Sequence, residues 1–261
     1  MRTIVTGAAS LAVVLGFVAT ATAADWGDLT LQFVLDGKAP AAKPLTVNKD
    51  TEVCGQHKLV DEGLTIGSNG GIAHVFVYLR PAPGAKVAIH PDLQKLAGTE
   101  VVLDNKGCRF EPHAAVVWTS QVLLLRNSDP IGHNTKIDVL DNTPVNPIIP
   151  AGAMVKQKFA KDERLPASVS CSIHPWMTAK LLVRETPYAA VSDATGKITI
   201  PKLPAGKWQF QIWHELAGFV TEAKDGSGKA VKWAKGRADF EVKAGGTDLG
   251  TFKVAPTVFT K

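Results

Sequence analysis

The sequence predicts an all-β chain, and three observations predict it. Short runs rich in Val, Ile, Leu and Phe recur along its length. They are divided by Gly, Pro, Asn and Asp, with 23 Gly and 16 Pro among 261 residues. Helical spacing shows only around residues 92–96. This rhythm suits antiparallel sandwiches or barrels. At 45% hydrophobic and 20% charged, the composition is that of an ordinary globular protein, not a collagen-like, disordered or disulfide-dense one.

The elements follow in order. Residues 1–23 pair one basic residue, Arg2, with an apolar run at 4–18 and a small-residue end at Ala21-Thr22-Ala23. That pattern is a secretory signal peptide, and the run is too short for a membrane anchor. No later segment reaches a spanning length, so no membrane span is expected once the leader is removed. The expected location is periplasmic or secreted. Residues 25–98 form an N-terminal β segment, with strands at 29–35, closing on Asp36-Gly37, and at 72–79, stopping at Pro81 and Pro83. Residues 99–185 carry runs at 114–118, 122–126, 155–159, 169–171 and 179–183. If the first two form a hairpin, it turns near Thr119-Ser120. Residues 187–261 show a turn at 192–197, a strand at 198–200, a second turn at 203–206 and an alternating strand at 208–213.

Charge excludes little. Twenty-nine basic against 24 acidic residues give +5, and loss of Arg2 with the leader leaves +4. The basic residues Lys224, Lys229, Lys232, Lys235 and Arg237 are interrupted by Gly226, Gly228 and Gly236, the pattern of solvated turns; no nucleic-acid partner is expected.

Three cysteines are an odd number, so one thiol stands apart from any single disulfide. It is Cys171 that sits in the densest chemistry, Cys171-Ser172-Ile173-His174-Pro175-Trp176-Met177. A thiolate, an imidazole and a thioether, each three residues apart in a loop between two strands, can point at one centre. Two His and one Cys with a weak axial Met make a blue-copper electron-transfer site. The second His is available at His133, in Asn127-Ser128-Asp129-Pro130-Ile131-Gly132-His133-Asn134.

A strand ending in Asn, a loop ending in His-Asn and a later Cys-x-x-His-x-x-Met resemble the cupredoxins, with the short ligand spacing of amicyanin and pseudoazurin. The resemblance covers residues 99–185 and implies a Greek-key sandwich with one mononuclear type 1 copper. It makes His133, Cys171 and His174 the equatorial ligands and Met177 the axial one. Asn134 is implied as a hydrogen-bonding partner of the backbone near Cys171, Pro175 and Trp176 as an apolar collar, and His174 as the solvent-facing electron port. The turn 118–121 departs from the family in lacking its usual Gly.

For Cys54 and Cys108 two readings stand. A disulfide is the default in an exported protein; alternatively, Cys54-x-x-His57 and Cys108 with His113 form a second metal site. In such a hairpin His113 falls at the same end as His133, which makes it an outer partner of the copper or an additional ligand. His74 and His90 have no partner motif, and His214-Glu215 is expected to make a turn contact.

Residues 187–261 resemble the carboxypeptidase regulatory-like, or transthyretin-like, β-sandwich modules through Asp193-x-x-Gly196-x-Ile198-x-Ile200-x-x-Leu203-Pro204-x-Gly206-x-Trp208-x-Phe210. The whole order, with Asp50-x-x-Val53-Cys54-Gly55 near the start, resembles exported bacterial proteins labelled methylamine-utilisation-like. The expected function is transport of single electrons between redox partner proteins, without enzymatic activity. The alternatives are a copper-binding or trafficking module and, behind it, a copper oxidoreductase with a second metal centre. No compact His-x-His cluster is present to supply one.

Overall fold

In the strand Trp26–Leu35 burial alternates: Leu29, Leu31, Phe33 and Leu35 point inward while the residues between them are partly exposed. This period of two is what a half-buried strand requires. The computed structural model describes residues 25–260, so the expected leader at 1–23 lies outside the described residues. Among them are twenty strands and only short helical turns, the longest being Thr51–Cys54, Pro91–Gln94 and Pro256–Phe259; the chain is all-β. No helix among them is long and apolar enough to cross a membrane.

The middle segment forms two four-stranded sheets. One has the order Met154–Gln157, Val122–Asn127, Glu100–Asn105, Phe110–Glu111; the other runs Ala114–Trp118, Thr178–Arg184, Ala167–Ser170, Lys136–Asp138. Between them lies one apolar cluster that includes Leu103, Phe110, Leu123, Leu125, Ile137 and Leu181. A hairpin of 114–118 with 122–126 is not formed. Ala114–Trp118 pairs in parallel with Thr178–Arg184, and Val122–Asn127 pairs in parallel with Glu100–Asn105. The turn between them carries the chain from one sheet to the other. Gln121 N–H donates to the Trp118 carbonyl (2.7 Å), Thr119 N–H to Arg184 and Val122 N–H to Thr99. Both strands are buried along most of their length, as strands of parallel pairs commonly are.

The first and last segments are joined by their hydrogen bonds. Trp26–Leu35 lies between Lys197–Pro204 (antiparallel) and Thr247–Val254 (parallel), and Phe76–Leu79 lies between Ala189–Val191 and Gly206–His214. Residues of both segments fill a single core, with Leu31, Phe33, Val77 and Leu79 packed among Ile198, Ile200, Phe210 and Phe252. The strands of 25–98 thus complete the sheets of 187–260. Gly196 shows why the turn at 192–197 needs its glycine: φ is +79°, and a Cβ there would stand 1.9 Å from the Phe33 carbonyl oxygen.

A third apolar cluster, Phe76, Tyr78, Ala114, Leu182 and Trp213, packs the two sandwiches together. Arg184 crosses the same boundary. Its guanidinium donates to the Leu79 carbonyl (3.0 Å) and the Glu163 carbonyl (3.1 Å) and lies over the Tyr78 ring.

Candidate metal centre

The loop 171–177 is closed by register: Ser170 stands opposite Thr178 in the ladder of Ala167–Ser170 with Thr178–Arg184. Two backbone bonds tighten it, Cys171 N–H to the Met177 carbonyl (3.2 Å) and Met177 N–H to the His174 carbonyl (2.9 Å). His133 arrives on the two-residue strand His133–Asn134, paired to Ile148–Ile149. Asn134 braces one against the other, because its side-chain oxygen accepts from the Ser172 N–H (2.8 Å) and the Ile173 N–H (3.2 Å).

Three donors converge here. His133 Nδ1 and His174 Nδ1 are 2.9 Å apart, and Cys171 Sγ lies 4.0 Å from the first and 3.8 Å from the second. His133 and His174 have no exposed surface and Cys171 has 1%. Met177 is as buried and closes the same loop.

Each imidazole is held from behind by a carboxylate. His133 Nε2 lies 3.0 Å from Asp129 Oδ2, and His174 Nε2 lies 2.7 Å from Asp50 Oδ2. Asp129 is itself fixed by the N–H groups of Gly107 (2.6 Å) and Cys108 (2.9 Å). A carboxylate acceptor keeps a proton on each Nε2, so both Nδ1 lone pairs face the centre. Two lone pairs 2.9 Å apart require a cation between them, and a proton or a metal ion serves.

Electrostatics point the same way. Burial pushes the Cys171 thiol up, but hydrogen bonding to His133, to the backbone N–H of Asn134 and to His174 outweighs it and brings it down to about 6. Burial works against a charge on His133, yet the Asp129 carboxylate and Cys171 raise it to about 9. Asp129 is raised by burial and lowered further by His133 and the two backbone N–H groups, so it stays ionised. A thiolate with two oriented imidazoles is a donor set that suits copper, and these residues fit it.

The remaining sequence expectations fall out differently. Cys54 and Cys108 form a disulfide, with Cα atoms 5.4 Å apart, which removes both sulfurs from a second metal site with His57 and His113. Cys108, Asp129 and His133 also bring donor atoms close together, but the Cys108 sulfur is already committed. His113 is not among the converging donors. Its Nε2 bonds Glu215 (2.7 Å), its Nδ1 lies 3.9 Å from Glu62, and its ring packs on His74. With Trp176 and Met177 it lines a cleft of about 280 Å³, so it borders the loop without turning toward the donors. Glu215, expected to make a turn contact, is the residue that takes His113. His174, expected at the surface, is covered.

Asp129 and Asp50 carry no role in the sequence reading. Asp129 had a signal, standing four residues before His133 in the same loop. Asp50 had none within reach, since 124 residues separate it from His174.

A scan against protein families matches none, and a search of the curated proteins matches none. Solved structures match in part, at low TM-scores. A copper-containing nitrite reductase from Thermus scotoductus SA-01 aligns at 24% identity and a TM-score of 0.31, over 40% of this chain; the alignment spans only 25% of the reductase. A purple cupredoxin from Nitrosopumilus maritimus aligns at 17% identity and 0.27, over 33% of this chain and 98% of its own. The oxidised state of an amicyanin mutant aligns at 19% identity and 0.29, over 34% of this chain and 83% of its own.

Proposed function

We propose that this chain is an exported type 1 copper protein that carries single electrons between redox partner proteins. One observation carries the reading: a low-lying thiol and two carboxylate-oriented imidazoles converge in a buried pocket. His133, Cys171 and His174 would hold the metal, with Met177 as a weak fourth donor. Copper, when bound, supplies one-electron chemistry by alternating between its +2 and +1 states. The protein's own part is rigidity: Asn134 pins the loop to the His133 strand, and the carboxylates keep both rings from turning. Export is supported by the leader pattern and by a disulfide, which persists in oxidising compartments. The sheets shared by 25–98 and 187–260 serve as scaffold.

Copper holding without electron traffic has one observation in its favour, the burial of every donor and the cover over His174. Copper(II) titration of the purified mature protein, read by visible spectrum and voltammetry, separates the two. Electron transfer predicts an intense thiolate-to-copper band and a reversible one-electron wave; a colourless protein that takes only copper(I) supports holding. Cys171→Ser abolishes the band, and colour that survives it overturns the ligand assignment.

A further inference from the structure

One carboxylate at the centre comes from outside the segment that builds it. Residues 43–61 form a loop closed at its base by Leu45 N–H to the Leu59 carbonyl (3.0 Å) and Asp61 N–H to the Lys43 carbonyl (2.8 Å). At its tip, Asp50 precedes the helical turn Thr51–Cys54, and the Asp50 carbonyl accepts from the N–H groups of Val53 and Cys54. The Cys54–Cys108 disulfide bolts this tip to the middle sandwich. Asp50 has left-handed backbone angles, φ 46° and ψ 45°, and its side chain is 39% exposed, while the imidazole beneath it is fully buried. The tip therefore lies over the outer edge of His174, and the Asp50 carboxylate is the group that meets it.

Resting on the copper reading above, we infer that Asp50 is a positioning residue for that centre, delivered by loop 43–61. Its carboxylate fixes the proton on His174 Nε2 and thereby aims Nδ1 at the metal. Asp129 does the same for His133, so the two imidazoles are held as a matched pair, one from within the middle segment and one from the strap. A negative charge behind a ligating imidazole also raises its donor strength and favours the higher charge state of the metal. The disulfide acquires a role beyond cross-linking two segments: it keeps Asp50 in place.

The backbone supplies the variants. Asp50→Gly suits the left-handed angles and removes the carboxylate, and Asp50→Asn suits them while keeping one acceptor oxygen. Nitrogen-15 histidine NMR of the metal-free protein reads the ring proton directly. The wild type should show it on His174 Nε2, and Asp50→Gly should shift that ring to mixed tautomers. Copper(II) affinity should fall about 10–100-fold in Asp50→Gly, and less in Asp50→Asn. The reduction potential of the loaded protein should rise in the same order. A wild-type His174 whose Nε2 carries no proton overturns the inference, as does an Asp50→Gly protein with unchanged affinity and potential. Wild-type protein that takes up no copper overturns the copper reading itself, and the NMR arm then reports whether Asp50 still orients the ring.

Discussion

At the scale of single residues, the candidate centre is a set of positions whose neighbours leave each donor one state. Asn134 shows how much rests on one side chain. It is 3% exposed, and its oxygen serves two backbone N–H groups of the loop that holds Cys171, while its nitrogen donates to Asn146 (2.6 Å). Asn134→Ala takes the acceptor from two part-buried N–H groups, a loss of two hydrogen bonds that should lower stability by about 1–3 kcal/mol. Differential scanning calorimetry reads this as a lower Tm, and the copper titration should show a broadened or displaced visible band. An unchanged Tm and band would place the loop's rigidity elsewhere. That Cys171 and His174 come together was legible in the sequence because they sit in one loop at a spacing set by local geometry. Asp50 was not, because no local pattern links a residue in a surface loop to a histidine that only tertiary packing brings beneath it.

At the scale of elements, the sequence marked most strands and misplaced some of their partners. Runs such as 114–118 and 122–126 announce themselves by composition, yet adjacency in the chain suggested a hairpin where the chain changes sheets. Parallel pairing of Glu100–Asn105 with Val122–Asn127 leaves no short-range turn signal of its own. The same blindness hid the partners of Trp26–Leu35, which come from the far end of the chain, at Lys197–Pro204 and Thr247–Val254. Loop 43–61 is the element whose attachment can be tested most directly. Cys54 and Cys108 are separated by 54 residues and both are fully buried. Replacing both by Ala should lower the unfolding free energy by roughly 2–4 kcal/mol, chiefly by freeing the unfolded chain. Urea denaturation checks this, and copper affinity should fall in the same protein because Asp50 is no longer held. A stability loss with copper affinity intact would separate the strap from the centre.

At the scale of the whole molecule, the two sandwiches meet across a boundary that is polar as well as apolar. His113 of the middle segment, His74 of the first and His214 and Glu215 of the last gather there beside Glu62, and Lys180 reaches Glu215 at 3.4 Å. Burial pushes His74 down to about 4, helped by His113, and pushes His214 down to about 4, helped by His74. A histidine held neutral in the folded state but titrating near 6.5 when unfolded binds its proton preferentially in the unfolded chain between those values. Stability from these groups is therefore complete above about pH 6.5, declines as pH falls toward about 4 and levels off below it. One such group contributes about 3 kcal/mol over that window, and two that face each other contribute less than twice as much. Glu215 is raised by burial but lowered further by His113 and Lys180, so its own loss of stability comes at lower pH and does not mask the histidines. Urea unfolding from about pH 7.5 to about pH 4.5 should show the decline. His74→Asn isolates one contributor without backbone strain, because His74 has φ 65° and Asn tolerates the left-handed region. Its stability should depend on pH less steeply than the wild type's across the same window. Equal slopes would mean that His74 does not hold its neutral form against the proton and that the acid sensitivity of the boundary lies in its other groups.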